Sequence, residues 1–131
     1  MKRMTLPFLA AAFALPIAFQ ATPLPAMEAM LSNGSFTGAS SHRTSGSVTI
    51  VKDGDTHKLI FKDNFLHDGA PDPKIAFGNN GYVKGTIIAK LKKNKGAQNY
   101  VIPARIDLAK FNEVWIWCER FGVPLGVAKL K

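Results

Sequence analysis

The stretch Val114-Trp115-Ile116-Trp117-Cys118-Glu119-Arg120-Phe121 is apolar from its first residue to its cysteine. Branched and aromatic side chains dominate it, a composition suited to a pleated strand. Alternation at period two sends Val114, Ile116 and Cys118 to one face and Trp115 and Trp117 to the other. Both faces are apolar, so the strand is covered on both sides or presents its tryptophans to a ligand or partner. Glu113 to Glu119 is therefore read as the central strand. Arg120 falls on the cysteine's face, one pleat further on.

Working outward, Gly122 and Pro124 end this strand, and Leu125 to Leu130 reads as the last one. Upstream, Ser47 to Val51 is the first clear strand. Asp53-Gly54-Asp55 turns it into His57 to Phe61, a hairpin with Leu59 and Phe61 on one face and Lys58 and Ile60 on the other. Residues 62 to 74, with two prolines and Gly69, read as a loop. Ile75 to Phe77 is a short strand stopped at Gly78. Thr86 to Lys93 alternates well enough to predict another strand, followed by a hairpin tip at Asn94-Lys95-Gly96 and a strand over Asn99 to Ile102. Ile106 to Phe111 reads as a loop with one helical turn, capped by Asp107. About seven to eight short strands with closely spaced turn residues predict an all-β protein, a small antiparallel sandwich or barrel.

The N-terminus has a different character. Lys2 and Arg3 precede an apolar run from Leu6 to Phe19, interrupted by Pro7 and Pro16 and followed by small residues and prolines. A positive flank, apolar core and small-residue exit describe a signal peptide. Phe19-Gln20-Ala21 and Leu24-Pro25-Ala26 both offer cleavage sites, and an uncleaved anchor is the alternative. The sequence thus divides into residues 1–26 (signal or anchor), 27–33 (a loose leader) and 34–131 (the β domain). The expected location is outside the cytoplasm: periplasmic, secreted or cell-surface. No second apolar run predicts a transmembrane domain in the remainder.

All nine acidic residues follow residue 26, while two of the 17 basic ones precede it, so the remainder carries a net +6. That charge points to an anionic surface or an acidic partner. Nucleic acid is not indicated, since no recognition motif accompanies the charge. The densest run, Lys90-Leu91-Lys92-Lys93-Asn94-Lys95, reads first as a solvated turn whose lysines deter edge pairing.

One cysteine in an exported chain cannot form an internal disulfide. Cys118 is inert core, joined to another molecule, or chemically employed. If the thiol meets solvent, the Arg120 guanidinium favours its thiolate. A single cysteine excludes Cys-x-x-Cys chemistry and covalent c-type haem. Blue copper is excluded too, because neither a histidine nor a methionine follows Cys118. A zinc site would have to gather Cys118 with the scattered His42, His57 and His67, and no ligand spacing supports it. Asp68 and Asp72, beside Gly69 and Pro71, read as a rigid turn ahead of a cation site. Ser40 to Ser45 reads as a polar turn.

Several pieces taken together resemble the DM13 domain family. They are Gly34-Ser35-Phe36; His42-Arg43-Thr44-Ser45-Gly46; Asn64-Phe65 with Asp68-Gly69-Ala70-Pro71-Asp72; Gly96-Ala97-Gln98-Asn99-Tyr100 with Ile102-Pro103; and Val114-Trp115-Ile116-Trp117-Cys118 with Phe121 and Gly126 to Leu130. The family's loop is usually a direct Gly-Pro-Asp, and Ala70 is an insertion into it. The resemblance implies an extracytoplasmic all-β domain for redox or electron transfer, working with a redox partner protein. It makes Cys118 the focal residue, as a bare thiol or as the ligand of a prosthetic group such as haem. It also matches His42 to a family histidine position, which implies an approach of His42 to Cys118.

Overall fold

A computed structural model describes residues 3–5, 7, 10–20 and 29–131. Residues 10–20 carry no regular secondary structure and lie exposed. Both expected cleavage sites end in segment 21–28, outside the described residues.

Ten strands and one short 3-10 helix follow: β1 (Ala29–Gly38), β2 (Thr44–Ser45), β3 (Ser47–Asp53), β4 (Thr56–Phe61), β5 (Leu66–His67), β6 (Pro73–Gly78), β7 (Ala89–Lys90), β8 (Gln98–Ile102), the helix (Leu108–Lys110), β9 (Glu113–Cys118) and β10 (Val123–Lys129). Eight of them form one antiparallel sheet in the order β7-β6-β9-β10-β1-β3-β4-β8, curled into a nearly closed barrel. β2 and β5 pair separately beside it. The expected all-β class is what the chain adopts, in its barrel form.

The central strand is where the alternation placed it, between β6 and β10. Val114, Ile116 and Cys118 point inward with at most 1% exposure. They join Phe36, Phe61, Phe65, Ile75, Phe77 and Leu125 in one core. Phe36, Phe61 and Phe65 pack at ring separations of 4.6–5.5 Å, two of the three pairs edge-on. The β3–β4 hairpin turns through Gly54 and Asp55. Gly54 has φ +60°, the conformation a two-residue turn asks of its first position. Asp107 caps the 3-10 helix by accepting from Ala109 N, as expected.

Four local expectations are corrected. Residues 62–74, expected as a loop, contain β5 and the start of β6, which pair with β2 and β9. Residues 29–33, expected as a loose leader, begin β1, which pairs with β3 on one side and β10 on the other. Thr86 to Lys93 is a strand only at Ala89–Lys90. The Arg105 guanidinium binds the carbonyls of Gly85 and Ile87, and the Thr86 hydroxyl accepts from Phe77 N at 2.9 Å and donates to Val83 O at 2.7 Å, so this backbone is held by side chains. Residues 94–96 are not a hairpin tip. β7 and β8 are the two edges of the sheet, and the chain between them closes the barrel through side chains: Lys92 N donates to Tyr100 Oη at 2.8 Å, and Gln98 Nε2 donates to Lys93 O at 2.8 Å.

One irregularity positions the functional region. Pro124 has no N–H to give the β9–β10 ladder. The register steps from Pro124↔Trp117 to Gly126↔Ile116, leaving Leu125 as the extra residue of a bulge. Its carbonyl turns to other donors, Ala39 N at 3.1 Å and the Thr44 hydroxyl at 2.9 Å.

Candidate functional site

The 39–45 and 66–69 segments meet at the end of the barrel beside this bulge. Ala39 to His42 is a tight turn, closed by His42 N donating to Ala39 O at 2.9 Å. Ser40 and Ser41 both have positive φ (53° and 64°), a conformation that costs about 1–3 kcal/mol for a non-glycine residue. Of the polar turn expected over Ser40 to Ser45 the first part is present, while Thr44 and Ser45 form β2; the strained serines deliver His42 to its place.

Thr44 pairs with His67 across β2 and β5. The Thr44 oxygen lies 2.9 Å from both Leu125 O and His67 Nδ1. A hydroxyl has one proton and a carbonyl only accepts, so the Thr44 proton goes to Leu125. His67 Nδ1–H must then donate to Thr44, which leaves Nε2 as a bare lone pair. The His67 side chain is fully buried, and its Nε2 is the one buried side-chain nitrogen or oxygen without a partner among the described residues. Burial holds the His67 pKa below the ordinary histidine value, with Asp68 opposing and His42 adding to the shift.

Asp68 ties the two segments together. Its Oδ2 accepts Arg43 N at 2.9 Å, and its own N–H donates to Arg43 O at 3.0 Å. Its Oδ1 accepts the Nδ1–H of His42 at 2.9 Å and lies 3.8 Å from His67 Nδ1. The Arg43 backbone N–H, and then His42, hold the Asp68 carboxyl below the usual carboxylate range. The His42 and His67 rings stand 5.8 Å apart, 29° from parallel. Asp68 was read above as part of a turn, and His67 as a scattered histidine. The fold makes both neighbours of His42. Asp72, by contrast, serves a turn: Oδ2 accepts Arg120 N at 3.0 Å and Oδ1 pairs with Lys74 at 3.3 Å.

Cys118 sits elsewhere in character. Its side chain is sealed in the core, and its backbone pairs with Pro73 and Val123. β9 ends at Cys118, and the chain turns at once, with Gly122 N donating to Cys118 O at 2.8 Å. Arg120 therefore lies exposed in that turn, not one pleat on within a strand. Neither Cys118 nor His42 lines any of four depressions of about 360–560 Å³ among the described residues. One, of about 450 Å³, is walled by Tyr82 and Trp117, whose rings stack at 3.8 Å and 5° on the outer face of β9. Trp115, also outward and half-buried, donates to Glu113 Oε1 at 3.3 Å; the same oxygen accepts Gly81 N, so loop 79–82 covers this tryptophan. The residues around Cys118 do not fit a haem: the sulfur is packed among core side chains, and a group of that size would have to part β6, β9 and β10.

Among the described residues no helix is long and apolar enough to cross a membrane. No curated protein and no solved structure gives a match. A family model described as Electron transfer DM13 matches residues 35–130, from β1 through Cys118 to the end of the barrel, and the chain therefore belongs to the DM13 family.

Proposed function

We propose that this chain is an exported electron-transfer domain that exchanges electrons with a partner protein, using Cys118 as a bare thiol. The observation that carries the reading is the family match, whose span takes in Cys118 and all of the barrel but the first part of β1. The setting narrows the chemistry. With no second cysteine in the chain, no internal disulfide can form. With the sulfur buried, a substrate cannot reach it; the exchange is one electron to the partner and one proton to water, thiol to thiyl radical, and the reverse on reduction. Trp117 precedes Cys118 in the strand and stacks on Tyr82 on its outer face, and this half-buried aromatic pair is a surface for a partner. The positive charge of the domain suits a partner with an acidic docking face. Residues 1–26 supply the export signal.

The test is protein-film voltammetry of the purified chain against Cys118→Ala. A reversible signal in the wild type that is lost in the variant is expected. An identical response in both ends the role of Cys118.

A specific observation favours a second reading. An exposure of 1% and a place in the core at the end of the row Val114, Ile116, Cys118 are what a structural cysteine shows. In that reading the domain is a binding module at the cell surface, and Cys118 is core alone. Silence of both proteins in the same voltammetry, with unchanged binding of an acidic partner by Cys118→Ala, supports it.

A further inference from the structure

We propose that His42, His67 and Asp68 bind one divalent transition-metal ion of the copper–zinc class, at a site independent of any role for Cys118. Two imidazoles and a carboxylate are a donor set that suits copper and zinc, with a fourth position left for water or a further ligand. Calcium and magnesium, which take oxygen ligands, are poorly served by it. One donor atom from each of the three residues lies within 4.8 Å of the other two. Ligands bonded at about 2.0–2.2 Å to one tetrahedral ion stand roughly 3.4 Å apart, so the spacing is close to what an ion needs.

His67 supplies an independent reason. A buried lone pair with no donor is costly unless something binds it, and nearly all buried polar atoms find a partner. His67 Nε2 has none within the chain. Thr44 holds the proton on the other nitrogen, and Leu125 O fixes Thr44 in turn. Metal-binding histidines have this arrangement: one nitrogen faces the ion while the other donates to a protein oxygen, which fixes ring and tautomer. The ligand atom assigned to His67 is Nε2; Nδ1, the nitrogen that stands 3.8 Å from Asp68 Oδ1, stays with Thr44.

Entry is open from the other side. The His42 and Asp68 side chains are 30% and 37% exposed, so an ion can arrive from solvent. It takes the place of the proton that His42 Nδ1 now gives to Asp68 Oδ1; by exchange through water the neutral imidazole carries its proton on Nε2 instead. Backbone bonds between Arg43 and Asp68 hold the two segments together before any ion arrives.

The experiment is equilibrium dialysis of the full chain, stripped with chelator, against Cu²⁺, Zn²⁺ or Ca²⁺, followed by electron paramagnetic resonance of the copper form. Expected are one Cu²⁺ or Zn²⁺ per chain, no Ca²⁺, and a copper signal split by two imidazole nitrogens. His42→Ala and Asp68→Asn, both at exposed positions that leave the core intact, are each expected to weaken binding about tenfold or more. His57→Ala, in β4, leaves it unchanged. Absence of stoichiometric uptake, unchanged affinity in both site variants, or loss of the ion in His57→Ala overturns the proposal. Metal uptake is read without any redox assay, so its failure and that of the electron-transfer reading are distinguishable.

Discussion

Thr44→Val is the sharpest test of how the site is held. Valine keeps the shape that packs over Gly126, where the Thr44 side chain leaves no room for anything larger. It removes one oxygen that accepts from His67 and donates to Leu125. Leu125 O keeps a donor in Ala39 N, so its loss is partly covered. His67 Nδ1–H keeps nothing, and a buried donor left unpaired costs about 1–3 kcal/mol. For a domain on the order of 100 residues each kcal/mol lowers the melting temperature by about 4–8 °C. Urea and thermal unfolding of the metal-free chain are therefore expected to show a loss of about 1–3 kcal/mol, hence at least about 4 °C. Introduced into His67→Leu, where no imidazole remains, the same substitution should cost under about 0.5 kcal/mol. Nitrogen chemical shifts of His67 in the wild type should report a proton on Nδ1 and none on Nε2. Equal cost in both backgrounds, or a proton on Nε2, refutes the chain of bonds from Leu125 to His67.

Other outcomes follow from the same geometry. Burial depresses the His67 pKa, so below about pH 6.5 the unfolded chain binds a proton that the folded chain refuses; stability should fall as pH drops through that value, and His67→Leu should flatten the fall over the same window. Gly126→Ala places a methyl 2.7 Å from Thr44 Cβ and Cγ2, and overpacking of that kind should cost about 1–3 kcal/mol in urea unfolding and weaken whatever His67 holds. At Cys118, serine should be more destabilising than alanine in the same assay, since it buries a hydroxyl where no polar partner is at hand. Haem added to the chain should show no Soret shift that depends on Cys118, and the thiol should react with a colorimetric reagent only after denaturation.

The parts of the fold legible in the sequence are those governed by period-two burial. β9 and β4 alternate because each has a face on the core, and their inward residues read directly from the pattern; β3 is legible from its branched composition, with Val48 to Val51 all buried. β1 was illegible for the opposite reason. Ala-Met-Leu-Ser-Asn-Gly-Ser-Phe-Thr-Gly has little strand propensity of its own and is extended because β3 and β10 both offer it partners. The Thr86–Lys93 pattern misled because Arg105, remote in sequence, takes the carbonyls that a ladder would use. In the site, the resemblance drew attention to His42, but His67 and Asp68 reach it through a β2–β5 pair two residues long. No periodicity is visible over two residues. The one available signal was the adjacent His67-Asp68 itself, a base and an acid at the mouth of a glycine turn.

The neighbourhood of β1 has a consequence for how the domain is made. Its register with β10 continues beyond the strand: Lys131 N donates to Asn33 O at 2.9 Å, and Asn33 N donates to Lys131 O at 3.3 Å. The first strand thus finds one of its two partners almost a whole domain later in the chain. Contacts so far apart in sequence are slow to form, because the intervening loop must be closed before they contribute. During synthesis β1 can meet β3 early, but the barrel cannot be completed until β10 has emerged. Removing residues 126–131 would leave β1 with one bare edge, and the Leu125 bulge without the strand that follows it.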